Sequence, residues 1–194
     1  VGTGSLSYQW YVNTANSTTG GSAISGETNS TYTPPTSAIG TLYYYVVISQ
    51  FTASDCNVVS NTSEVEVLAA PTFTQQPVGS SVCENGTANQ LSISYTNGTG
   101  TPTYQWYSNT VNLNTGGSPI SGATSSTYDP PTTPVGMIYY YCVISFTGGG
   151  CSEMISNTAL VDVLAEVVID SQPMSTQNIC IGGLADLSGT AATN

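Results

Sequence analysis

Three kinds of side chain in this sequence could do chemistry. There are five cysteines, at 56, 83, 142, 151 and 180, thirteen tyrosines and eleven carboxylates. Lysine, arginine and histidine do not occur, so the formal net charge is −11 over 194 residues. A Ser or Cys nucleophile therefore has no imidazole to take its proton, and neither a Schiff-base lysine nor an arginine finger can be built. Nucleic acid is excluded as a partner, because no side-chain cation is present to displace its counterions. Binding to anionic lipid through basic patches fails for the same reason. What remains is carboxylate acid–base work, oxygen ligation of a hard cation, thiol chemistry and aromatic stacking. No paired-carboxylate site stands out, and no catalytic activity is expected.

The elements that must carry these groups are set by a tandem repeat. Tyr8-Gln9-Trp10-Tyr11 returns 96 residues on as Tyr104-Gln105-Trp106-Tyr107. At the same shift Thr19-Gly20-Gly21-Ser22 returns as Thr115-Gly116-Gly117-Ser118, and Pro34-Pro35 as Pro130-Pro131. Tyr43-Tyr44-Tyr45 returns as Tyr139-Tyr140-Tyr141, and Ser60-Asn61-Thr62 as Ser156-Asn157-Thr158. Val65–Ala69 and Val161–Ala165 each end a unit, while Gln76-Pro77 and Gln172-Pro173 each open one. The expected domains are 1–70, lacking the opening strands of a unit, 71–166, a complete unit, and 167–194, the opening strands of a third. Continuation of the chain at both ends is the expected cause. Strand donation between molecules is the alternative.

Helical periodicity is absent and period-two alternation is frequent. Leu91, Ile93 and Tyr95 alternate with serines, and Leu42, Tyr44, Val46 and Ile48 share one face. Short runs of this kind, separated by Gly, Pro, Asn and Ser clusters, predict an all-β chain. About 96 residues per unit fits tandem immunoglobulin-like β-sandwiches. Trp10 and Trp106 fall where strand C carries its core Trp. Tyr44 and Tyr140 fall at the tyrosine corner of strand F, where a phenol bonds nearby backbone. The outward Tyr11, Tyr43 and Tyr45, with Tyr107, Tyr139 and Tyr141, are candidates for an aromatic binding stripe.

The cysteines lack CxxC pairs and a neighbouring His, so disulfides in an oxidising compartment fit better than zinc. The segment leading into strand B can run beside strand G, which predicts a Cys83–Cys151 bridge with Cys142 a buried thiol. Cys83–Cys142 is the rival pairing. Cys56 and Cys180 would then pair beyond the two ends of the sequence. Glu64, Glu66, Asp162, Glu166 and Asp170 gather near unit junctions, where Ca²⁺ would stiffen an array. Glu66 and Asp162 alternate with inward valines, however, so a solvated strand face is expected there and no cofactor.

The string Gln76-Pro77, Val82-Cys83-Glu84-Asn85-Gly86, Tyr104–Tyr107, Ile120–Tyr128, Pro130-Pro131, Tyr139–Val143 and Ser156-Asn157-Thr158 resembles a known type. It is similar to the tandem Ig-like repeats of very large Bacteroidetes surface proteins. The resemblance covers the whole chain. It implies export by the type IX secretion system and an extracellular, cell-surface location. Some such proteins are mobile adhesins of gliding cells; others are stalks that carry enzymes or sugar-binding modules. The function so implied is a non-catalytic stalk or adhesive segment. Its partners would be neighbouring repeats of the same chain, and surface polysaccharide or another adhesin chain. The alternative is an array of carbohydrate-binding modules attached to a secreted enzyme. No run approaches the ~20 apolar residues of a membrane-spanning helix, so direct membrane insertion is not expected.

Overall fold

A computed structural model describes residues 5–50, 56–147 and 153–193. Every regular element among them is a strand, and the chain divides into two compact units, Val1–Ala70 and Pro71–Asn194.

The first unit is one antiparallel sheet. Its strands are β1 (Leu6–Asn13), β2 (Ser22–Ala23), β3 (Gly40–Gln50), β4 (Asn57–Val59) and β5 (Ser63–Val67). The long β3 is central because its alternating apolar residues can serve two neighbours at once. On one side β1 pairs with it, Trp10 opposite Val46 and Tyr11 opposite Tyr45. On the other side β4 and then β5 follow, while β2 extends the far edge of β1.

The second unit holds the same sheet and adds a second layer. Its strands are β6 (Thr72–Gln75), β7 (Ser80–Cys83), β8 (Leu91–Ser92), β9 (Ser94–Thr96), β10 (Pro102–Asn109), β11 (Ser118–Pro119), β12 (Thr127–Tyr128), β13 (Gly136–Phe146), β14 (Met154–Ile155) and β15 (Ala159–Leu164). Each pairing of the first unit recurs 96 residues on, with Trp106 opposite Cys142 and Tyr107 opposite Tyr141. To this sheet β7 is added parallel to β15, with Val82 opposite Val163. The second layer pairs β6 with β9 and β8 with β12. Between the layers Leu91, Ile93, Trp106, Tyr140, Cys142, Ile144, Ala159, Val161 and Val163 form the core. In immunoglobulin lettering β6 is A, β7 A′, β8–β9 B, β10 C, β11 C′, β12 E, β13 F and β14–β15 G. The chain is thus all-β and immunoglobulin-like.

Two strands follow, β16 (Val167–Ser171) and β17 (Thr190–Thr193). They reproduce the β6–β9 pair residue for residue. Phe73 lies opposite Tyr95 and Ile169 opposite Ala191, and both pairs shift register before the next serine contact.

The core aromatics differ between the units. Trp106 and Tyr140 are buried. The Trp106 indole donates to the Ser125 carbonyl at 2.9 Å. Tyr44 is buried too, but Trp10 is only partly so, although its indole makes the equivalent bond to Asn29 at 2.9 Å. No counterpart of β6, β8 or β9 precedes it among the described residues to close over the ring. The corner hydrogen bond expected of Tyr140 is not made among the described residues. Its ring instead packs 5.5 Å from that of Tyr128, and burial pushes its phenol up to about 12.

Candidate functional site

The outer face of the C–F sheet carries the tyrosines proposed for binding. Alternation sends Tyr107 and Tyr141 to this face, because Trp106 and Cys142, their neighbours in sequence, point inward. The two rings stack with centroids 5.1 Å apart and planes 5° from parallel. Tyr11 and Tyr45 repeat this with the same 5.1 Å and 5°.

Facing outward has not left them open. Tyr141 and Tyr45 are 3% and 4% exposed. The chain between β10 and β11 folds over Tyr141, and the Gly117 amide donates to its phenol oxygen at 3.1 Å. A Cβ on Gly117 would sit 2.7 Å from the Ser108 carbonyl oxygen and 2.9 Å from the Tyr141 ring. Glycine is what permits this approach. Tyr45 and Tyr141 are therefore not surface-binding aromatics. Tyr11 and Tyr107, half-buried, spend one face on them. Tyr43 is tied by a hydrogen bond to Glu64, which with burial and the Glu64 charge holds its phenol above the ordinary range.

Beside this cover lies a shallow cavity of about 240 Å³, bounded by Ser108, Asn109, Thr110, Gly116, Gly117 and Ser118 with Ile138. Its lining offers hydroxyls, amides and backbone but no titratable side chain, so it can hydrogen-bond a polar group and cannot move a proton. The Asn109 amide is already committed, donating to Leu113 and Thr115 carbonyls at 2.9 and 3.1 Å.

On the inner face the reactive group is Cys142. It is free and buried, and burial pushes its thiol up to about 12, a backbone hydrogen bond from Gln105 working weakly the other way. A thiol held neutral in apolar surroundings is a small hydrophobe, not a nucleophile. Val46 fills the same place in the first unit.

Sequence reading missed the role of Ser156. It is wholly buried between β14 and β15. Its hydroxyl accepts the Cys142 amide at 2.9 Å and donates to the Asn157 carbonyl at 2.8 Å. Ser60 does the same for Val46 and Asn61 at 3.0 and 2.8 Å. Ser-Asn-Thr was visible only as a repeat marker. Its task shows once Trp106 is seen to turn its own backbone groups toward Ile120 and Ala123, which directs those of Cys142 to strand G.

The expected Cys83–Cys151 bridge is not formed: Cys83 is a free, exposed thiol. Cys151 lies outside the described residues. The A′ segment does run beside strand G, but its register sets Cys83 opposite Leu164, at the far end of β15. Cys142 faces the core and is free as well, so the rival Cys83–Cys142 bridge is absent too. Cys56 and Cys180 are free and exposed. Among the described residues no three His, Cys, Asp or Glu side chains gather as a metal site, and Glu64 instead accepts the Tyr43 phenol. No helix of the described residues is long and apolar enough to cross a membrane.

A search of curated proteins returns no match. Among solved structures the chain is similar to Drosophila OTK extracellular domains 3–5, at 15% identity, 77% of this chain, 47% of that one and TM-score 0.38. It is also similar to Sidekick-1 immunoglobulin domains 1–5, at 15% identity, 90% and 38% coverage and TM-score 0.36. Sidekick-1 immunoglobulin domains 1–4 give 15%, 88% and 46%, and TM-score 0.37. The chain spans less than half the length of each of these structures. Residues 75–165 match the model of a domain of unknown function, DUF8696.

Proposed function

We propose that the chain is a non-catalytic structural and adhesive segment of a very large bacterial cell-surface protein, exported by the type IX route and of the gliding-adhesin kind. The observation that carries this reading is the repetition of one scaffold. Gln9 and Gln105 each bind the two carbonyls that flank their hairpin at 2.9 and 2.8 Å. Asn13 and Asn109 each pin the following loop, and Ser60 and Ser156 each patch strand F. What recurs is the framework, as spacer modules require. A surface without side-chain cations is mutually repulsive and stays soluble at high density. Neighbouring repeats are the first partners, with surface polysaccharide or another adhesin chain beyond them. The carbohydrate-module reading lacks support from the tyrosines, since half of the proposed stripe is buried.

The reading is tested on cells that produce the protein. Antibody against the chain should label intact cells, and deletion should impair attachment or gliding. Labelling only after lysis overturns it. Turnover of any glycan or peptide by the purified chain overturns its non-catalytic part.

A further inference from the structure

The segment between β11 and β12 spends its backbone on the sandwich and leaves its hydroxyls outside. The Ile120 amide donates to the Trp106 carbonyl at 2.9 Å, and the Ala123 and Ser125 carbonyls accept the Trp106 amide and indole at 3.0 and 2.9 Å. A tight turn at Gly122, with φ +76°, lies between these contacts. The Ser126 carbonyl then accepts the Ile93 amide at 3.1 Å. Along this anchored segment runs a groove of about 410 Å³, bounded chiefly by Ser121, Thr124, Ser125, Thr127, Tyr128 and Asp129. That volume is within the range of about 300–1,000 Å³ usual for small-molecule clefts.

Such clefts are mostly apolar, and this one is not. The hydroxyls of Ser121, Thr124, Ser125 and Thr127 bond to no described residue. In the cavity beside Gly117, by contrast, Asn109 is already bonded to loop carbonyls. The one charged group of the groove is held in place. Gln90 donates from Nε2 to Asp129 Oδ1 at 3.0 Å, and among the described residues no donor reaches Oδ2. The first unit has Thr33 where the second has Asp129, and Glu27 in place of Ala123. The arrangement thus belongs to the second unit. Every residue that shapes it lies inside the complete sandwich 71–166, whichever repeats flank that sandwich.

We propose that this groove binds a neutral glycan, with Asp129 Oδ2 accepting sugar hydroxyls and the uncommitted Ser and Thr hydroxyls bonding their neighbours. Hydroxyl suits hydroxyl because each both donates and accepts, and a carboxylate is the stronger acceptor for an O–H. Ala123 and Tyr128 add apolar surface for the C–H face of a sugar ring. A net charge of −11 repels acidic polysaccharides, which selects the neutral class. The proposal rests on the adhesive reading for the source of the glycan and takes nothing from the stacked tyrosines.

Native gels of the full chain, cast with a soluble β-glucan, a mannan, a galactan or alginate, test it. At least one neutral polymer should retard the chain relative to a polymer-free gel, and alginate should not. Asp129→Asn keeps an acceptor for Gln90 but loses the charge. It should weaken Kd by about tenfold, with the near-ultraviolet signal unchanged. Thr127→Val should give a smaller loss, and Tyr107→Ala none. Retardation by none of the three neutral polymers overturns the proposal, as does retardation by alginate alone. Equal binding by Asp129→Asn overturns it too, as does a loss with Tyr107→Ala in its place. Purified chain that binds while intact cells stay unlabelled leaves the groove standing and removes the cell-surface reading; labelled cells with no retardation do the reverse.

Discussion

The Ser156 hydroxyl accepts the Cys142 amide proton at 2.9 Å, while the Ser156 amide donates to the Cys142 carbonyl, also at 2.9 Å. One residue thereby supplies both ladder bonds where strand G is interrupted. Ser156→Ala leaves a buried amide without a partner. It is expected to destabilise the second unit by about 1–3 kcal/mol, read from denaturant midpoints of the full chain. Ser156→Thr, which keeps the hydroxyl, should recover part of the loss.

Cys142 and Tyr140 give the second unit an alkaline limit. Burial raises the thiol from 9.0 to about 12 and the phenol from 10.0 to about 12. In both cases the fold favours the neutral acid, so their contribution is fully present below pH 9. It is lost as pH rises toward 12, because the unfolded chain ionises first, at up to about 1.4 kcal/mol per pH unit for each group. Cys142→Val, which installs the residue of the first unit, should be nearly neutral at pH 7 and flatten the decline between pH 9 and 10. A melting temperature that falls equally in both proteins over that interval contradicts this.

Gly117→Ala should separate the stacked tyrosines. Its Cβ meets backbone at 2.7 Å and the Tyr141 ring at 2.9 Å, and neither can retreat without opening the β10–β11 hairpin. A cost of about 1–3 kcal/mol is expected, with a changed near-ultraviolet tyrosine signal. Gly122→Ala, where no atom lies within 4 Å but φ is +76°, should leave that signal intact.

Thiol accessibility separates the cysteines. Iodoacetamide applied to the folded, unreduced chain should alkylate Cys56, Cys83 and Cys180 and spare Cys142 until the protein unfolds. Detection of a Cys83–Cys151 peptide after purification without reductant would contradict the free state of Cys83.

Much of the architecture was legible because it depends on short-range order. The 96-residue shift foretold two copies of one sheet, and the pairings of β1–β3 and β10–β13 obey it throughout. Alternation around Tyr44 and Val46, and around Leu91 and Ile93, named strand faces correctly because period two is a property of the backbone. Whether an outward side chain meets water was decided elsewhere. Tyr141 sits on the outer face yet is buried, since a hairpin held by Gly117 closes on it. The cysteines teach the same lesson. The strand-F pattern placed Cys142 inside, where it is buried and free, but the disulfide expected of an oxidising compartment is not formed at Cys83. Only the slide of β7 along β15 set Cys83 against Leu164 and away from strand F's far end. Register between strands distant in sequence is chosen by side-chain packing across the sandwich, and no local pattern encodes it.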